Sequence, residues 1–144
     1  MKIFVPKEKE IPLCAEVYIS AYEKEPWNET YKKGEVEKYV SEYLHSKTKK
    51  CFAAEEKDEI IGIALCMVVP SIGSPFMRIE DFCISDEKQG MGFGTEFLKL
   101  IFEEAKELGC DSVLLGTQKD FPSHRFYLKN GFSEIESVLL YKEL

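Results

Sequence analysis

The chain has 144 residues, 19 of them basic and 26 acidic, which gives a formal net charge of −7. This length predicts one domain, residues 1–144, that can bury a core without disulfides, and no stretch approaches the roughly 20 apolar residues of a membrane span. The acidic balance disfavours nucleic acid as a partner, because phosphates would be repelled, and it favours a cationic substrate.

The start of the chain predicts one short strand and two helices. The strand covers residues 2–5, and the first helix covers residues 8–22, where apolar side chains recur every three or four positions. A loop through Pro26 and Gly34 separates this helix from a second one over residues 35–46. Each helix carries one apolar stripe, as amphipathic helices do.

The rest of the chain predicts a sheet interrupted by two helices. A hairpin with the turn Lys57-Asp58 comes first, followed by a strand, a long helix, another strand, a short helix and two strands that close the sheet. In that order the predicted bounds are 51–56, Glu59–Val69, Phe76–Ile84, 92–108, 111–116, 122–130, 132–136 and 138–142.

A glycine-rich segment, Q-G-M-G-F-G-T at 89–95, joins the strand that ends at Ile84 to the long helix, which stops at Gly109. The helix therefore begins among glycines. The first N–H groups of a helix have no partners within it and carry partial positive charge, and glycines allow a ligand to approach them closely. The segment predicts an anion site, with pyrophosphate as the expected ligand. A glycine-rich turn without a ligand is the alternative.

The glycine spacing narrows the choice of phosphate ligand. A Walker loop needs a lysine after its last glycine, and here Thr95 follows Gly94 directly. A dinucleotide fingerprint needs G-x-G-x-x-G, whereas the chain has G-x-G-x-G. The pattern that does fit is Q/R-x-x-G-x-G/A, filled by Gln89, Gly92 and Gly94.

Three segments follow one another in a characteristic order: I-E-D-F-C-I-S at 79–85, the glycine loop, and D-F-P-S-H-R-F-Y-L-K-N-G-F at 120–132. In this order and spacing they resemble the GCN5-related N-acetyltransferase (GNAT) superfamily, whose second signature is N-x-x-A-x-x-F-Y-x-x-x-G-F. Asp120 and Ser123 depart from it, standing where Asn and Ala are usual. The resemblance implies an α/β fold, in which a mixed, mostly antiparallel twisted sheet with a splayed central strand pair is flanked by about four helices.

The resemblance also implies a cofactor, acetyl-coenzyme A (acetyl-CoA). Backbone groups of Cys83 and Ile84 would pair with its pantetheine arm, and an amide near Cys83 would polarise the thioester carbonyl. Ser123 and Phe126 of the last motif also belong to the expected cofactor site. The pyrophosphate would lie on the amides of Gln89, Gly90, Met91, Gly92, Phe93, Gly94 and Thr95.

The expected chemistry is transfer of acetyl to an amine, with Tyr127 as the general acid that protonates the leaving thiolate. A core aromatic is the alternative for Tyr127. Glu80 is the expected base, directly or through water, and its alternative is a carboxylate that anchors the substrate. Asp81 could replace Glu80 as the base. Along a regular strand, these two carboxylates would point to opposite faces.

The acceptor is predicted to be a small-molecule amine, with Trp27, Glu80 and Asp81 as its expected contacts; a peptide N-terminus is also compatible. Trp27 could form an aromatic lip for a cation or fill the junction between two helices. Two other functions stay open, namely transfer from a longer acyl-CoA and a catalytically silent CoA-binding domain. The oligomeric state is also open, with a homodimer among the choices.

The five cysteines predict a reduced, cytoplasmic protein. They are odd in number, widely spaced and without a C-x-x-C pair, so neither a disulfide framework nor a metal site is expected. The first residues lack a signal-peptide pattern. A covalent acetyl-Cys83 route is disfavoured because no motif places His45 or His124 to activate the thiol. Direct transfer between two bound substrates is therefore expected.

Overall fold

The computed structural model describes residues 1–144 as one five-stranded sheet with four helices. The strand order is β1-β2-β3-β4-β5, antiparallel except for the parallel pair β4 and β5. None of the helices combines the length and apolarity needed to cross a membrane. The elements are β1 Lys2–Phe4, α1 Ile11–Tyr22, α2 Lys33–Ser41, β2 Lys49–Glu56, β3 Glu59–Val69, β4 Phe76–Ile84, α3 Phe93–Glu107, β5 Val113–Leu115 and α4 Pro122–Lys129.

The sheet separates two hydrophobic cores, because neighbouring residues of a strand point to opposite faces. Ile63 and Leu65 of β3 lie in the core formed with α1 and α2. Ala64 and Cys66 lie in the other core, formed with α3 and with Tyr127 of α4. All four β3 side chains are fully buried. Helices therefore cover both faces of the sheet, as the predicted α/β class requires.

A β-bulge interrupts the pairing of β3 with β4. Leu65 is paired with Asp81 and the next residue, Cys66, with Ile79, so Glu80 is an extra residue in β4. A bulge disrupts the regular alternation of side chains between the two faces. Accordingly, Ile79 and Phe82 both contact the core beneath α3, although they lie three positions apart.

The two strands predicted at 132–136 and 138–142 are not formed, and this part of the prediction is wrong for the single chain. The chain beyond α4 has no helix or strand, and its apolar side chains from Ile135 onward are exposed. Their pattern favours a strand, but a strand also needs the backbone of a partner. The nearest edge strand in the chain, β5, is only three residues long.

The second helix also differs from its prediction, since α2 ends at Ser41 rather than at residue 46. Beyond it the backbone forms turn-type hydrogen bonds, from Tyr43 N–H to Val40 O and from Leu44 N–H to Ser41 O. An apolar stripe continues through such turns, so the stripe alone overestimates the length of the helix.

The central strand β3 provides a test of this packing. Ile63→Ala should lower the free energy of unfolding by about 2–5 kcal/mol, because it leaves a cavity at a fully buried position. Ile72 is fully exposed, so Ile72→Ala should change the stability by less than about 0.5 kcal/mol. Urea unfolding followed by circular dichroism measures both. Equal losses in the two variants would contradict the assigned layers.

Candidate active site

The glycine loop has a backbone shape that depends on two of its glycines. Gly90 and Gly92 have φ angles of +73° and +88°, in the left-handed region that side chains rarely adopt. Gly92 is also the residue at which α3 begins. The Gln89 side chain donates a hydrogen bond from Nε2 to Ile84 O at 3.0 Å, which fixes the loop to the end of β4.

Six consecutive amides of this loop have no hydrogen-bond acceptor in the chain. They run from Gly90 to Thr95, and the first helical bond is donated by the next residue, from Glu96 N–H to Gly92 O at 3.2 Å. The Gln89 amide, expected among them, is not free, because it donates to Asp86 O at 3.2 Å. Gly90 and Gly92 are exposed, and Gly94 is half-buried. An uninterrupted series of free N–H groups at the positive end of a 15-residue helix suits a polyanion.

Gly94 lies beside an aromatic ring of α4. A Cβ atom at this position would lie 3.4 Å from two ring carbons of Phe126, which is ordinary contact, and Gly94 has no positive φ. Small side chains are therefore tolerated at Gly94 without backbone strain. Phe126, expected at the cofactor site, borders the glycine loop.

The strands β4 and β5 separate beside this loop. Their pairing is confined to Met77 with Val113, Arg78 with Leu114, and Ile79 with Leu115. From Glu80 to the end of β4 at Ile84, the edge that faces away from β3 has no strand partner. The predicted splayed pair of strands is confirmed, and the gap opens toward the glycine loop.

The register of β4 decides which backbone groups face the gap. Ser85 N–H donates to Ile61 O at 2.8 Å, and in an antiparallel pair only every second residue bonds to the neighbouring strand. Cys83 therefore points its N–H and C=O toward β3, whereas Phe82 and Ile84 point theirs into the gap. The expected role of Ile84 agrees with this arrangement, but Phe82 takes the place expected of Cys83.

Tyr127 lies on α4 at the inner side of the gap. Its side chain is 9% exposed, and its ring centroid lies 6.4 Å from that of Phe82 and 5.4 Å from that of Phe132. Burial raises the pKa of the Tyr127 hydroxyl, and Cys83 and Asp81 raise it further. The hydroxyl has no hydrogen-bond partner in the chain, yet it is not sealed from solvent. It is therefore a protonated donor that is free to bind a ligand.

A second tyrosine, Tyr22 of α1, reaches the same gap. Its hydroxyl donates a hydrogen bond to Phe82 O at 3.5 Å. Burial is the main cause of the raised pKa of this hydroxyl, and Cys83 and Asp81 raise the pKa further. The sequence did not indicate this role, because Tyr22 ends an apolar stripe and resembles a core residue. Only the separation of β4 from β5 distinguishes it from a core tyrosine.

The two candidate carboxylates lie on the same face of the sheet because of the bulge at Glu80. Arg78 Nε lies 2.8 Å from Glu80 Oε1. Asp81 accepts hydrogen bonds from the hydroxyls of Tyr18 at 3.0 Å and Tyr39 at 2.7 Å. Burial is the main cause of the raised pKa of the Tyr43 hydroxyl, which lies on the α1 and α2 side. The charges of Glu80 and Asp81 also raise this pKa. The expectation of opposite faces is therefore wrong.

Trp27 packs between two elements at the entrance of the gap. Its ring centroid is 5.8 Å from that of Tyr22 at the end of α1 and 5.4 Å from that of Phe121 at the start of α4. The side chain is half-buried, and the flanking residues Glu25 and Glu29 are exposed. Trp27 therefore packs against Tyr22 and Phe121 and stays partly accessible, and its contact with a cationic acceptor stays a prediction.

The two departures in the last motif have local structural roles. Asp120 has a φ of +67°, in the left-handed region that Asn and Asp tolerate best, and its N–H donates to His124 Nδ1 at 3.1 Å. The hydroxyl of Ser123 lies 2.8 Å from that of Thr117. Neither change disturbs the start of α4, so both are compatible with a working site.

Comparisons with known proteins agree with this geometry. The model of the acetyltransferase (GNAT) family matches residues 16–132. The chain therefore belongs to this family of acyl-transferring enzymes. A tRNA(Met) cytidine acetyltransferase from Saccharolobus solfataricus is 42% identical over 102 residues, in a match that takes in 57% of this chain and 13% of that protein. The chain thus corresponds to a small part of this relative.

Solved structures share the fold. A transcriptional regulator from Bacillus halodurans C-125 superposes with a TM-score of 0.80 at 23% identity, over 99% of each chain. An aminoglycoside antibiotic 6′-N-acetyltransferase from Acinetobacter haemolyticus gives a TM-score of 0.80 at 16% identity, over 100% of this chain and 99% of that one. At such identities the likeness establishes the fold alone, and the predicted fold class is confirmed.

The glycine loop generates a binding prediction. Acetyl-CoA at about 100 times its dissociation constant should add about 2.7 kcal/mol to the stability, a rise of several degrees in melting temperature. Gly94→Asp should abolish this rise, because its carboxylate would repel the pyrophosphate. Gly94→Asn has the same shape without the charge and should keep more of the rise. Differential scanning fluorimetry measures both.

A control for this experiment is Gly34→Asp, since Gly34 has open space around it and lies on α2, away from the loop. This variant should keep the full rise in melting temperature. A full rise in melting temperature for Gly94→Asp as well would show that the pyrophosphate does not bind at this loop.

Proposed function

We propose that this chain transfers acetyl from acetyl-CoA directly to the primary amine of a small, cationic acceptor. The observation that carries this proposal is the continuity of two sets of unpaired backbone N–H groups. The free amides at 90–95 adjoin the open edge of β4 at Phe82 and Ile84. A ligand with a polyanionic part and an amide-bearing arm would satisfy both sets at once, and CoA has this chemistry.

Each part of acetyl-CoA, the acetyl donor, has a matching set of groups in the chain. The pyrophosphate fits the loop amides, and the N–H group of Ile84 suits a carbonyl of the pantetheine arm, as in an added strand. Ser123 and Phe126 border this path on α4. The bound donor supplies an activated acetyl thioester. Within the gap, we assign the N–H of Phe82 as the hydrogen-bond donor to the thioester carbonyl oxygen, where it would stabilise developing negative charge.

Tyr127 is the group we assign to the leaving sulfur. Its raised pKa keeps the hydroxyl protonated at neutral pH. A free thiol has a pKa near ~8.5, so complete proton transfer from this tyrosine to a thiolate is uphill. Donation of a strong hydrogen bond to the sulfur as it gains charge lowers the barrier without that transfer.

The carboxylates Glu80 and Asp81 suit the acceptor side. An alkylammonium has a pKa near ~10, so it must lose a proton before it can attack. Both oxygens of Asp81 already accept hydrogen bonds from tyrosines, whereas Glu80 forms one ion pair, with Arg78. We therefore assign the base role to Glu80, directly or through water, and assign to Asp81 the attraction of the cation.

A small cation is favoured over RNA as the acceptor, although one relative is named as a tRNA acetyltransferase. The net charge of −7 and the two carboxylates would repel a phosphate backbone. They attract an ammonium group, and the partly accessible ring of Trp27 offers it an aromatic face. A similar fold occurs in an aminoglycoside acetyltransferase, whose name records a polycationic acceptor class.

Direct transfer is favoured over an acetylated cysteine. Cys83 is 6% exposed, and burial raises the pKa of its thiol above the ordinary value. Such a thiol stays protonated and is a poor nucleophile. No histidine makes a hydrogen bond to it, since His45 contacts Glu8 and His124 contacts Glu134.

Release of free thiol from a panel of donors and acceptors tests the proposed function. Aminoglycosides, polyamines, amino acids, peptides and tRNA would each be incubated with acetyl-CoA and with longer acyl-CoAs, and the product mass would be recorded. We expect turnover with acetyl-CoA and a small cationic amine. Turnover only with a longer donor would change the assigned acyl group, and binding of CoA without any turnover would identify a silent domain.

Tyr127→Phe separates chemistry from packing. The change keeps the ring and its burial but removes the hydroxyl, so kcat should fall by roughly 10²-fold while the melting temperature and acetyl-CoA affinity stay the same. The matched control is Tyr141→Phe, because Tyr141 is exposed beyond α4. Unchanged kcat in Tyr127→Phe would show that this residue has a purely structural role.

Glu80→Gln tests the direction of proton flow. At pH 7, where almost all acceptor is protonated, kcat should fall by roughly 10²-fold because the base is missing. The deficit should shrink as the pH rises toward about 10, because free amine then forms without help. Initial rates from pH 6 to pH 10 measure this trend, with Glu37→Gln on α2 as the control.

The same data distinguish a base from an anchor at Glu80. If KM for the acceptor rises while kcat holds at every pH, Glu80 binds the cation and the base is another group. Asp81→Asn would then be the variant in which the pH-dependent loss of kcat should occur.

A further inference from the structure

The helix α4, which carries Tyr127, has few contacts of its own to hold it in place. It has eight residues, and Tyr127 is the one buried side chain among them. Its N-cap residue, Phe121, forms no side-chain capping hydrogen bond. A helix of this length is marginally stable by itself. The position of α4 therefore depends on contacts with the segments before and after it.

His124 contacts both of these segments. It lies in the first turn of α4, and its side chain is 13% exposed. On one side its Nδ1 accepts a hydrogen bond from Asp120 N–H at 3.1 Å. On the other side its Nε2 lies 2.8 Å from Glu134 Oε1. The imidazole therefore joins the chain that enters α4 to the chain that leaves it.

These two contacts define which ring nitrogen carries the proton. Nδ1 of His124 accepts from a backbone N–H, so it has no proton of its own. In neutral imidazole the single proton then lies on Nε2, where it is donated to the Glu134 carboxylate. An imidazole protonated on both nitrogens could not accept the hydrogen bond from Asp120.

Asp120 depends on side chains of α4 for its backbone hydrogen bonds. Its φ of +67° lies in the left-handed region, which is unfavourable for residues other than glycine. His124 accepts from its N–H, and Arg125 Nη1 donates to its carbonyl oxygen at 2.7 Å. The turn that directs the chain into α4 is therefore held by the first side chains of α4 itself.

The same turn is connected to the gap between β4 and β5. Phe121 follows Asp120 directly and packs against Trp27, with ring centroids 5.4 Å apart. Tyr127 comes three positions after His124, and residues at this spacing are neighbours on a helix surface. A change in the contacts of His124 would therefore move the start of α4, and with it the Tyr127 hydroxyl, relative to β4.

We propose that His124 is a positioning residue for the transfer reaction. By joining Asp120 to Glu134, it sets the place of the Tyr127 hydroxyl beside the leaving sulfur. This role rests on the proposed function, in which Tyr127 donates a hydrogen bond to that sulfur. His124 acts through α4 and takes no part in proton transfer. A misplacement of about 1 Å at a reacting group can cost roughly 10²-fold in rate, so the effect is measurable.

Two substitutions at His124 separate the accepted hydrogen bond from the packing of the ring. The amide oxygen of His124→Asn can take the place of Nδ1 and accept from Asp120 N–H, whereas His124→Leu fills similar space without an acceptor. We expect kcat to fall by roughly 10- to 10²-fold in His124→Leu and by less than about threefold in His124→Asn. In both variants KM for the acceptor and the affinity for acetyl-CoA should change by less than about threefold. Rates would be measured at a temperature at which circular dichroism shows both variants to be folded.

The other histidine provides a matched control. His45 Nε2 lies 2.6 Å from Glu8 Oε1, in a histidine–glutamate pair away from α4, so His45→Leu should leave kcat unchanged. An equal loss of kcat in His124→Asn and His124→Leu would overturn the proposal, because the accepted hydrogen bond would then not matter. Unchanged kcat in His124→Leu, or a rise in KM alone, would overturn it as well.

NMR spectroscopy tests the positioning without any turnover. The rings of Phe82 and Phe132 have centroids 6.4 Å and 5.4 Å from that of Tyr127, so the ring-proton resonances of Tyr127 depend on its position. In protein with ¹³C-labelled tyrosine, His124→Leu should shift these resonances, and His124→Asn should leave them close to those of the unmodified chain.

The ring ¹⁵N resonances report the proton directly. The chain has two histidines, so His45→Leu assigns the His124 signals, which should show a proton on Nε2 alone at about pH 8. A proton on Nδ1, or Tyr127 resonances that do not move in His124→Leu, would overturn the positioning role. If the unmodified chain acetylates no acceptor while the Tyr127 resonances move as expected, the proposed function fails and the positioning of Tyr127 by His124 stands.

Discussion

The candidate site depends on the separation of β5 from β4 after Ile79. In a continuous sheet, the N–H and C=O groups of Phe82 and Ile84 would be satisfied by a neighbouring strand. Here their N–H groups face a gap that ends at the free amides of the glycine loop, and their carbonyls accept hydrogen bonds from Tyr22 and Gln89 instead. Unpaired backbone groups are costly when they are shielded from water, so a site that leaves so many unpaired is suited to a ligand with complementary groups.

The two sides of this gap have different chemistry. Backbone amides and the hydroxyl of Tyr127 supply donors on the α3 and α4 side, which suits an acyl donor with phosphates and a carbonyl. Carboxylates supply negative charge on the α1 and α2 side, where a bulge places Glu80 and Asp81 together. A charge distribution of this kind can hold an anionic and a cationic substrate at once and orient the transfer between them.

The sequence predicted the glycine loop and most of the elements from local patterns of glycines and apolar residues, and it predicted the splayed strands through the family resemblance of its three motifs. It did not predict the register of β4, since a bulge leaves no clear mark in the alternation around Glu80. This single extra residue places Glu80 and Asp81 on one face, whereas Tyr22 was missed because only the separation of β4 from β5 distinguishes it from a core tyrosine. The strands expected beyond α4 failed for another reason, because an apolar pattern favours a strand but does not supply the neighbouring backbone that a strand needs.

Backbone-resolved NMR can show whether the free amides at 90–95 bind the pyrophosphate of CoA. Uniformly ¹⁵N-labelled protein would be titrated with CoA and, in parallel, with pantetheine, which lacks the phosphates. CoA should shift the amide resonances of residues 90–95 together with those of Phe82 and Ile84, whereas pantetheine should shift the β4 resonances alone. Loop amides that stay unchanged at saturating CoA would contradict pyrophosphate binding at this loop.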